Sequence, residues 1–236
     1  MKTIGILGGM SAASTALYYE ALNRGARDRL GGLHSAELLI RSLDFALVEE
    51  MQAAGDWAAA GRLLNREARA LEAGGADLLI LATNTMHKLA EPMMAGVRIP
   101  FLHIADATAA AIRAAGLAKP GLMATAYTME QTFYTDRLRA AGLAPMLPGP
   151  EDRIETHRII YDELCRDVVR DESRAAYEAI AIRLAKRGAD CLILGCTEVG
   201  MLLNAGNVPV PVFDTTQIHC AAALDMALAG AVPEPV

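Results

Sequence analysis

The sequence predicts an α/β fold made of two similar halves, each with its own parallel sheet. Two observations predict it. Short apolar runs alternate with longer segments of helical spacing along the chain, and strand-then-helix repetition is the pattern of parallel sheets. Gly75-Ala76-Asp77-Leu78-Leu79-Ile80-Leu81 also recurs as Gly188-Ala189-Asp190-Cys191-Leu192-Ile193-Leu194, identical at six of seven positions and offset by 113. Gly5-Ile6-Leu7 parallels Gly121-Leu122-Met123 and Tyr18 parallels Tyr134, both at 116, while Ile99-Pro100-Phe101 parallels Val210-Pro211-Val212 at 111. Matches in one order at nearly one offset indicate a tandem duplication.

The elements follow in turn. Ile4–Leu7, Glu37–Arg41, Leu78–Ala82, Pro100–Ile104, Gly121–Ala124, Leu192–Gly195 and Val210–Phe213 read as strands. Ser14–Leu30, Trp57–Ala73, Asp106–Ala115, Glu130–Ala141, Glu151–Arg170 and Ser173–Arg187 read as helices. Glycines at Gly31-Gly32, Gly74-Gly75 and Gly188 punctuate helix ends, where a left-handed backbone is needed. The first half is expected over 1–113 and the second over 114–213. The final segment of 214–236, Asp214 to Ala229, is expected to return and complete the first half.

Composition narrows the function classes. Hydrophobic residues make up 53% of the 236 and charged ones 21%, which supplies a core and excludes wholesale disorder. The net charge of −6, with one Trp, six Tyr and four Phe scattered along the chain, argues against a nucleic-acid surface. No apolar run approaches the roughly 18 residues that span a bilayer. Met1-Lys2-Thr3 leads straight into a strand, so no signal peptide and a cytoplasmic location are expected. Four cysteines, Cys165, Cys191, Cys196 and Cys220, show neither C-x-x-C pairing nor zinc spacing and are expected as reduced thiols, with no metal.

Ligands of open α/β sheets bind beyond the carboxyl ends of the strands. Two halves facing each other would make a cleft in which the residues after Leu81 and Leu194 meet. Thr83 and Cys196 are equivalents there, at offset 113. Cys196 follows a strand and precedes an expected helix start at Thr197-Glu198, a place that stabilises thiolates. A buried structural cysteine is the commoner fate, and Cys191, Cys165 and Cys220 fit it. Thr83-Asn84-Thr85 presents two hydroxyls and an amide. One of them is explained by helix capping, but three in succession suit a carboxylate. Thr125 and Thr128 follow the strand Gly121–Ala124 and join the same rim, and Gly8-Gly9-Met10-Ser11 offers backbone N–H groups to an anion. Neither G-x-G-x-x-G nor a P-loop is present, so nucleotide binding has little support.

Leu7-Gly8-Gly9-Met10-Ser11, Ser42-Leu43-Asp44-Phe45, Ala82-Thr83-Asn84-Thr85-Met86-His87, Tyr127-Thr128-Met129-Glu130-Gln131, Leu194-Gly195-Cys196-Thr197-Glu198 and Val212-Phe213-Asp214-Thr215-Thr216 together resemble the cofactor-independent aspartate/glutamate racemases, over nearly the whole chain. The resemblance implies two pseudo-symmetric Rossmann-like α/β domains with the active site between them. It implies racemisation without pyridoxal phosphate, by two cysteines on opposite faces of the substrate Cα. Here the first of these is Thr83, which resembles a subgroup carrying Thr-Asn-Thr-Met-His. Ser11-Ala12-Ala13-Ser14 replaces that subgroup's bulkier, partly acidic stretch. Glu198 stands where glutamate racemases carry a His, and this favours the aspartate branch. By resemblance Gln52 contributes a substrate contact. Read from the residues alone, it lies on a loop or short helix whose face among Glu49, Glu50 and Asp56 is equally that of a solvated helix.

The expected protein is thus a racemase of broad or acidic-leaning specificity with no cofactor. By resemblance the second-half cysteine faces L-substrates, so Cys196 as thiolate removes their Cα proton and Thr83 returns one on the opposite face. Asn84, Thr85, Thr125, Thr128 and Thr197 hold the carboxylate, and Met10, Ser11, Gln52 and Glu198 complete the substrate contacts. The partner is a small amino acid, with neither nucleic acid nor membrane, and a homodimer is allowed rather than required. Two alternatives stay open: a single-cysteine decarboxylase or isomerase of the same superfamily, and a catalytically silent amino-acid-binding module. Of the histidines, His87 is expected to orient the Thr83 loop, His103 to lie at a strand end, His219 to pack, and His34 and His157 to lie at the surface. Trp57 is expected as a core anchor.

Overall fold

The computed structural model describes residues 1–166 and 168–229. Two three-stranded parallel sheets are present. β1 (Ile4–Gly8), β2 (Leu38–Ser42) and β3 (Leu78–Leu81) form one in the order β2-β1-β3, and β4 (Pro120–Ala124), β5 (Cys191–Gly195) and β6 (Val212–Asp214) form the other in the order β4-β5-β6. The helices are α1 (Ala12–Leu30), α2 (Phe45–Ala53), α3 (Trp57–Ala73), α4 (Ala90–Met93), α5 (Ile104–Ala114), α6 (Ala126–Glu130), α7 (Thr132–Ala140), α8 (Pro150–Asp162), α9 (Asp171–Lys186) and α10 (Thr215–Leu228). The chain divides into two compact units, Met1–His103 with the chain from His219 onward, and Ile104–Ile218. The repeat offsets had put the divide at 113 and 213; in the structure α5 belongs wholly to the second unit.

Each sheet is covered on both faces, which is why its central strands read as unbroken apolar runs. In the first unit Ile4, Ile6, Leu78 and Ile80 point to one side, against Tyr18, Leu22 and Ala26 of α1 and Ala223, Leu224 and Ala227 of α10. Leu7, Leu79 and Leu81 point to the other, against Leu64, Ala68 and Leu71 of α3. The second unit repeats the plan. Met123, Leu192 and Leu194 meet Ile159 of α8 and Tyr177, Ile180 and Leu184 of α9. Leu122, Ala124 and Ile193 meet Ala109 and Ile112 of α5 and Leu138 of α7. Alternation of period two along a strand is enough to divide the side chains between two layers.

The repeated Gly-Ala-Asp is explained by this scaffold. Gly75 and Gly188 turn the chain out of α3 and α9 with φ of 99° and 103°, a region costly for residues with a Cβ. The aspartates then clamp the neighbouring strand entry. Thr3 N–H donates to Asp77 Oδ2 at 2.7 Å, and the N–H groups of Ala118 and Lys119 donate to Asp190 at 2.9 Å. The recurring motif therefore marks a structural junction at the strand entries, at the opposite strand ends from Thr83 and Cys196.

Three expected elements differ. Pro100–Ile104 is a single bridge, Phe101 to Leu79, because its proline lacks an N–H and α5 begins at Ile104. Glu130–Ala141 is broken into α6 and α7 by Gln131, whose φ of −95° and ψ of 143° are extended. Glu151–Arg170 ends at Asp162, where Glu163 leaves helical geometry and is held by Arg158 at 3.0 Å and the Ser173 hydroxyl at 2.5 Å. No described helix is long and apolar enough to cross a membrane.

Candidate functional site

In each unit the strand register brings particular loops to one sheet edge. Leu7 pairs with Leu81 and Gly8 with Ser42, so Gly9–Ser11, Leu43-Asp44 and Ala82–Thr85 leave the first sheet together. Ala124 pairs with Gly195 and Leu194 with Asp214, so Thr125, Cys196 and Thr215 leave the second together.

The first unit's edge is a set of close packings. A Cβ on Gly9 would lie 2.2 Å from the Leu43 backbone, and one on Gly8 would lie 2.4 Å from the Thr15 hydroxyl oxygen, so the Gly-Gly pair is a packing requirement. The Gly9 N–H donates to Thr15 Oγ1 at 2.7 Å; it is committed to that bond and does not serve an anion as expected. Ser11 caps α1, its hydroxyl accepting from Ser14 N–H, and Met10 packs its side chain into the core beside Leu81 and Met86. Thr83, Asn84 and Thr85 are all buried. Asn84 occupies the N-cap position of the 3₁₀ turn Thr85–Leu89 without a side-chain cap bond, so capping does not account for it. The Ser14 hydroxyl donates to the Ala82 carbonyl at 2.9 Å, and the His87 ring bonds the Thr83 carbonyl at 2.7 Å.

Gln52 lies on α2, which Asp44 caps at 3.1 Å. It is 4% exposed and donates to the Met86 sulfur at 2.9 Å, which places it against the Thr83 loop. A solvated face is thereby replaced by a buried one: Val48 and Gln52, four apart, turn inward. The Trp57 ring is half-buried and covered by Lys88 Nζ at 3.8 Å from its centroid.

In the second unit Thr125 caps α6, accepting from Thr128 N–H at 3.4 Å, and the two hydroxyls lie 3.2 Å apart. His157 was expected at the surface, but it is half-buried beside Tyr127 and Tyr161, and its Nδ1 accepts from Ala126 N–H at 3.3 Å. Burial pushes its pKa down, which keeps the ring neutral and able to accept. Nothing at 157 in the sequence signals this. The only clue is the helical spacing that puts His157 and Tyr161 on one face.

The Cys196 thiol donates to Glu198 Oε2 at 2.9 Å, and the Thr197 hydroxyl donates to the same oxygen at 2.5 Å. The expected helix start here is only the 3₁₀ turn Val199–Met201, too short to supply a substantial dipole. Burial, then the Glu198 charge, then neighbouring Cys165, push the Cys196 thiol well above its ordinary range. The expectation of a thiolate-stabilising loop is therefore corrected: burial and the Glu198 charge both disfavour the thiolate, and the thiol hydrogen-bonds to that carboxylate. None of the four cysteines is in a disulfide, and Cys165 packs on the same cluster as Cys196.

Comparison with known proteins agrees with this architecture. A family described as Asp/Glu/Hydantoin racemase matches residues 7–223. The chain is 46% identical to a Yersinia pestis protein proposed to be an Asp/Glu racemase, covering 97% of this chain and 100% of that one with a TM-score of 0.90. It is 33% identical to an aspartate racemase homologue from Pyrococcus horikoshii OT3, covering 96% and 99% with a TM-score of 0.84. An arylmalonate decarboxylase variant, 17% identical over 99% and 97% with a TM-score of 0.57, shares the fold.

Proposed function

For a chain that belongs to the Asp/Glu/hydantoin racemase family, we propose the interconversion of L- and D-amino acids, aspartate- and glutamate-like or broader, with Cys196 and Thr83 as the two proton-transfer groups. The observation that carries this reading is the Cys196 thiol donating to Glu198 at 2.9 Å. A Cα proton is weakly acidic, and its removal needs a strong base, which the Cys196 thiolate formed by proton transfer to Glu198 supplies. Glu198 takes the thiol proton and the thiolate takes the Cα proton, so that a C–H bond breaks and an S–H bond forms. The Thr83 hydroxyl gives a proton to the opposite face of the same carbon, and the alkoxide left behind regains one from water, whose hydroxide takes the proton that Glu198 received. Glu198 thereby serves the thiol, beyond the substrate contact first expected of it.

The carbanion is stabilised as its charge spreads into the carboxylate, and hydroxyl and amide donors aimed there act on the transition state. Asn84, Thr85, Thr125, Thr128 and Thr197 supply such donors, while Met10, Ser11 and Gln52 shape the substrate's surroundings. The scheme uses neither pyridoxal phosphate nor metal. The Thr83 hydroxyl is a weak acid, far weaker than the Cys196 thiol, which makes its transfer the slow one.

One cysteine, rather than two, also suits decarboxylation, in which the thiol protonates a carbanion left by CO₂. Incubating the protein with a panel of L-amino acids and with an arylmalonate separates the readings. Appearance of D-amino acid on chiral chromatography is the expected result. CO₂ release from the malonate alone would replace racemisation with decarboxylation, and saturable amino-acid binding without turnover would make the protein a sensor.

A further inference from the structure

Three buried histidines lie together behind the Thr83 loop in the first unit. The ring centroids of His87 and His103 are 4.5 Å apart and those of His87 and His219 5.7 Å, with Phe101 5.5 Å from His87. Among the described residues no group of His, Cys, Asp or Glu is arranged to hold a metal ion, so the cluster is not a ligand set.

The hydrogen bonds determine where its protons sit, because a carbonyl oxygen only accepts. His219 Nε2 lies 3.0 Å from the Leu102 carbonyl and must carry hydrogen; its Nδ1 then accepts from the Tyr18 hydroxyl at 2.8 Å. Burial supports this neutral form by holding the His219 pKa down at about 4. His87 Nδ1 lies 2.7 Å from the Thr83 carbonyl and must likewise donate. Both carbonyls that flank the Thr83 backbone are thus pinned, Ala82 by the Ser14 hydroxyl and Thr83 by the His87 ring. A β-branched side chain has few χ1 rotamers, so fixing its backbone restricts where the hydroxyl points.

We propose that His87 is a positioning residue for Thr83, holding its carbonyl so that the hydroxyl is aimed at the reacting carbon, with His103 and His219 packed to keep the ring from turning. The inference rests on the reading in which Thr83 returns the second proton. Misplacing a reacting group by an ångström slows a reaction steeply while leaving the other half-reaction alone.

The test follows two rates for one substrate in D₂O: inversion, by chiral chromatography, and wash-in of deuterium at Cα of recovered L-substrate, by NMR. His87→Leu is expected to slow inversion roughly ten- to a hundredfold with wash-in held within about twofold. His87→Asn, whose amide nitrogen sits where Nδ1 does, is expected to restore inversion. A fall of both rates together, unchanged inversion, or no rescue by Asn overturns the positioning role. Thr83→Ala is the reference: if it inverts substrate as fast as the parent, the underlying reading fails and His87 is not the cause. Nitrogen-15 NMR of the parent gives a second check that needs no variant. A proton on Nδ1 of His87 is expected, and one on Nε2 alone overturns the proposal.

Discussion

The loop after β3 and the loop after β5 occupy equivalent places in the two halves of a duplicated chain, yet they are built differently. The Thr83 loop is braced through its backbone, by Ser14 and by His87, and runs at once into a 3₁₀ turn. The Cys196 loop is tied by Val199 N–H to the Cys196 carbonyl at 3.1 Å and follows a strand end held by the Thr215 hydroxyl on the Leu194 carbonyl at 2.8 Å, and it devotes its side chains to a carboxylate shared by a thiol and a hydroxyl. The difference shows how duplication separates scaffold from chemistry. Strand register, Gly-Ala-Asp junctions and double-sided cores persist in both halves, while one loop sets a carboxylate against a thiol and the other is braced through its backbone. If the two groups transfer protons as proposed, they do so unequally even though the equilibrium between enantiomers is even.

The largest effect expected is at Cys196. Cys196→Ser keeps size and hydrogen-bonding capacity but replaces the thiol with a far weaker acid, so racemisation is expected to fall at least about a thousandfold with the unfolding midpoint unchanged. Retention of more than a tenth of parent activity would remove the thiol from the mechanism. Next comes Glu198→Gln, which acts in two directions. Loss of the proton acceptor is expected to cut racemisation roughly a hundredfold. Loss of its charge, which helps hold the thiol pKa up, is expected to speed alkylation of Cys196 by iodoacetamide at neutral pH. If both rates fall, Glu198 orients the thiol without governing its proton.

Much of this was legible beforehand, and for physical reasons. β1, β3, β4 and β5 are buried on both faces, and unbroken apolar runs leave no other reading. Trp57–Ala73 matches α3 end to end because Asp56 caps it, accepting from Ala59 N–H at 2.9 Å, and Gly74 closes it. The break at Gln131 was not legible, since a single extended residue between two helical segments changes no periodicity. The burial of Gln52 and His157 was hidden for a related reason: both lie among charged neighbours, and only the packing of other elements turns them inward. Cys196 was marked by its place after a strand, but the direction of its pKa was not. That depends on burial and on whether Glu198 folds back toward the sulfur.

The brace behind Thr83 has its own, smaller signature in stability. His219 is held neutral at about 4 by burial, below the unfolded value near 6.5. The unfolded chain therefore binds a proton that the folded one refuses. The ring's contribution is intact above pH 6.5 and declines as pH falls toward 4, by an amount on the order of 3 kcal/mol. Urea unfolding of the parent and of His219→Gln across pH 7 to 4 should show a steeper decline for the parent. Parallel curves would mean that the cluster is open to protonation in the folded state.

The inequality of the two loops is tested most directly in the parent protein, by starting from each enantiomer of its best substrate in D₂O and stopping early. If transfer at Thr83 is slow and that at Cys196 fast, with the thiol proton exchanging with solvent through Glu198, the carbanion formed from the L-enantiomer mostly returns to L, and recovered L-substrate gains deuterium before D-product accumulates. The carbanion formed from the D-enantiomer mostly goes on to L, so recovered D-substrate stays protiated. Equal deuterium in the two recovered substrates, or more in recovered D, would contradict the account.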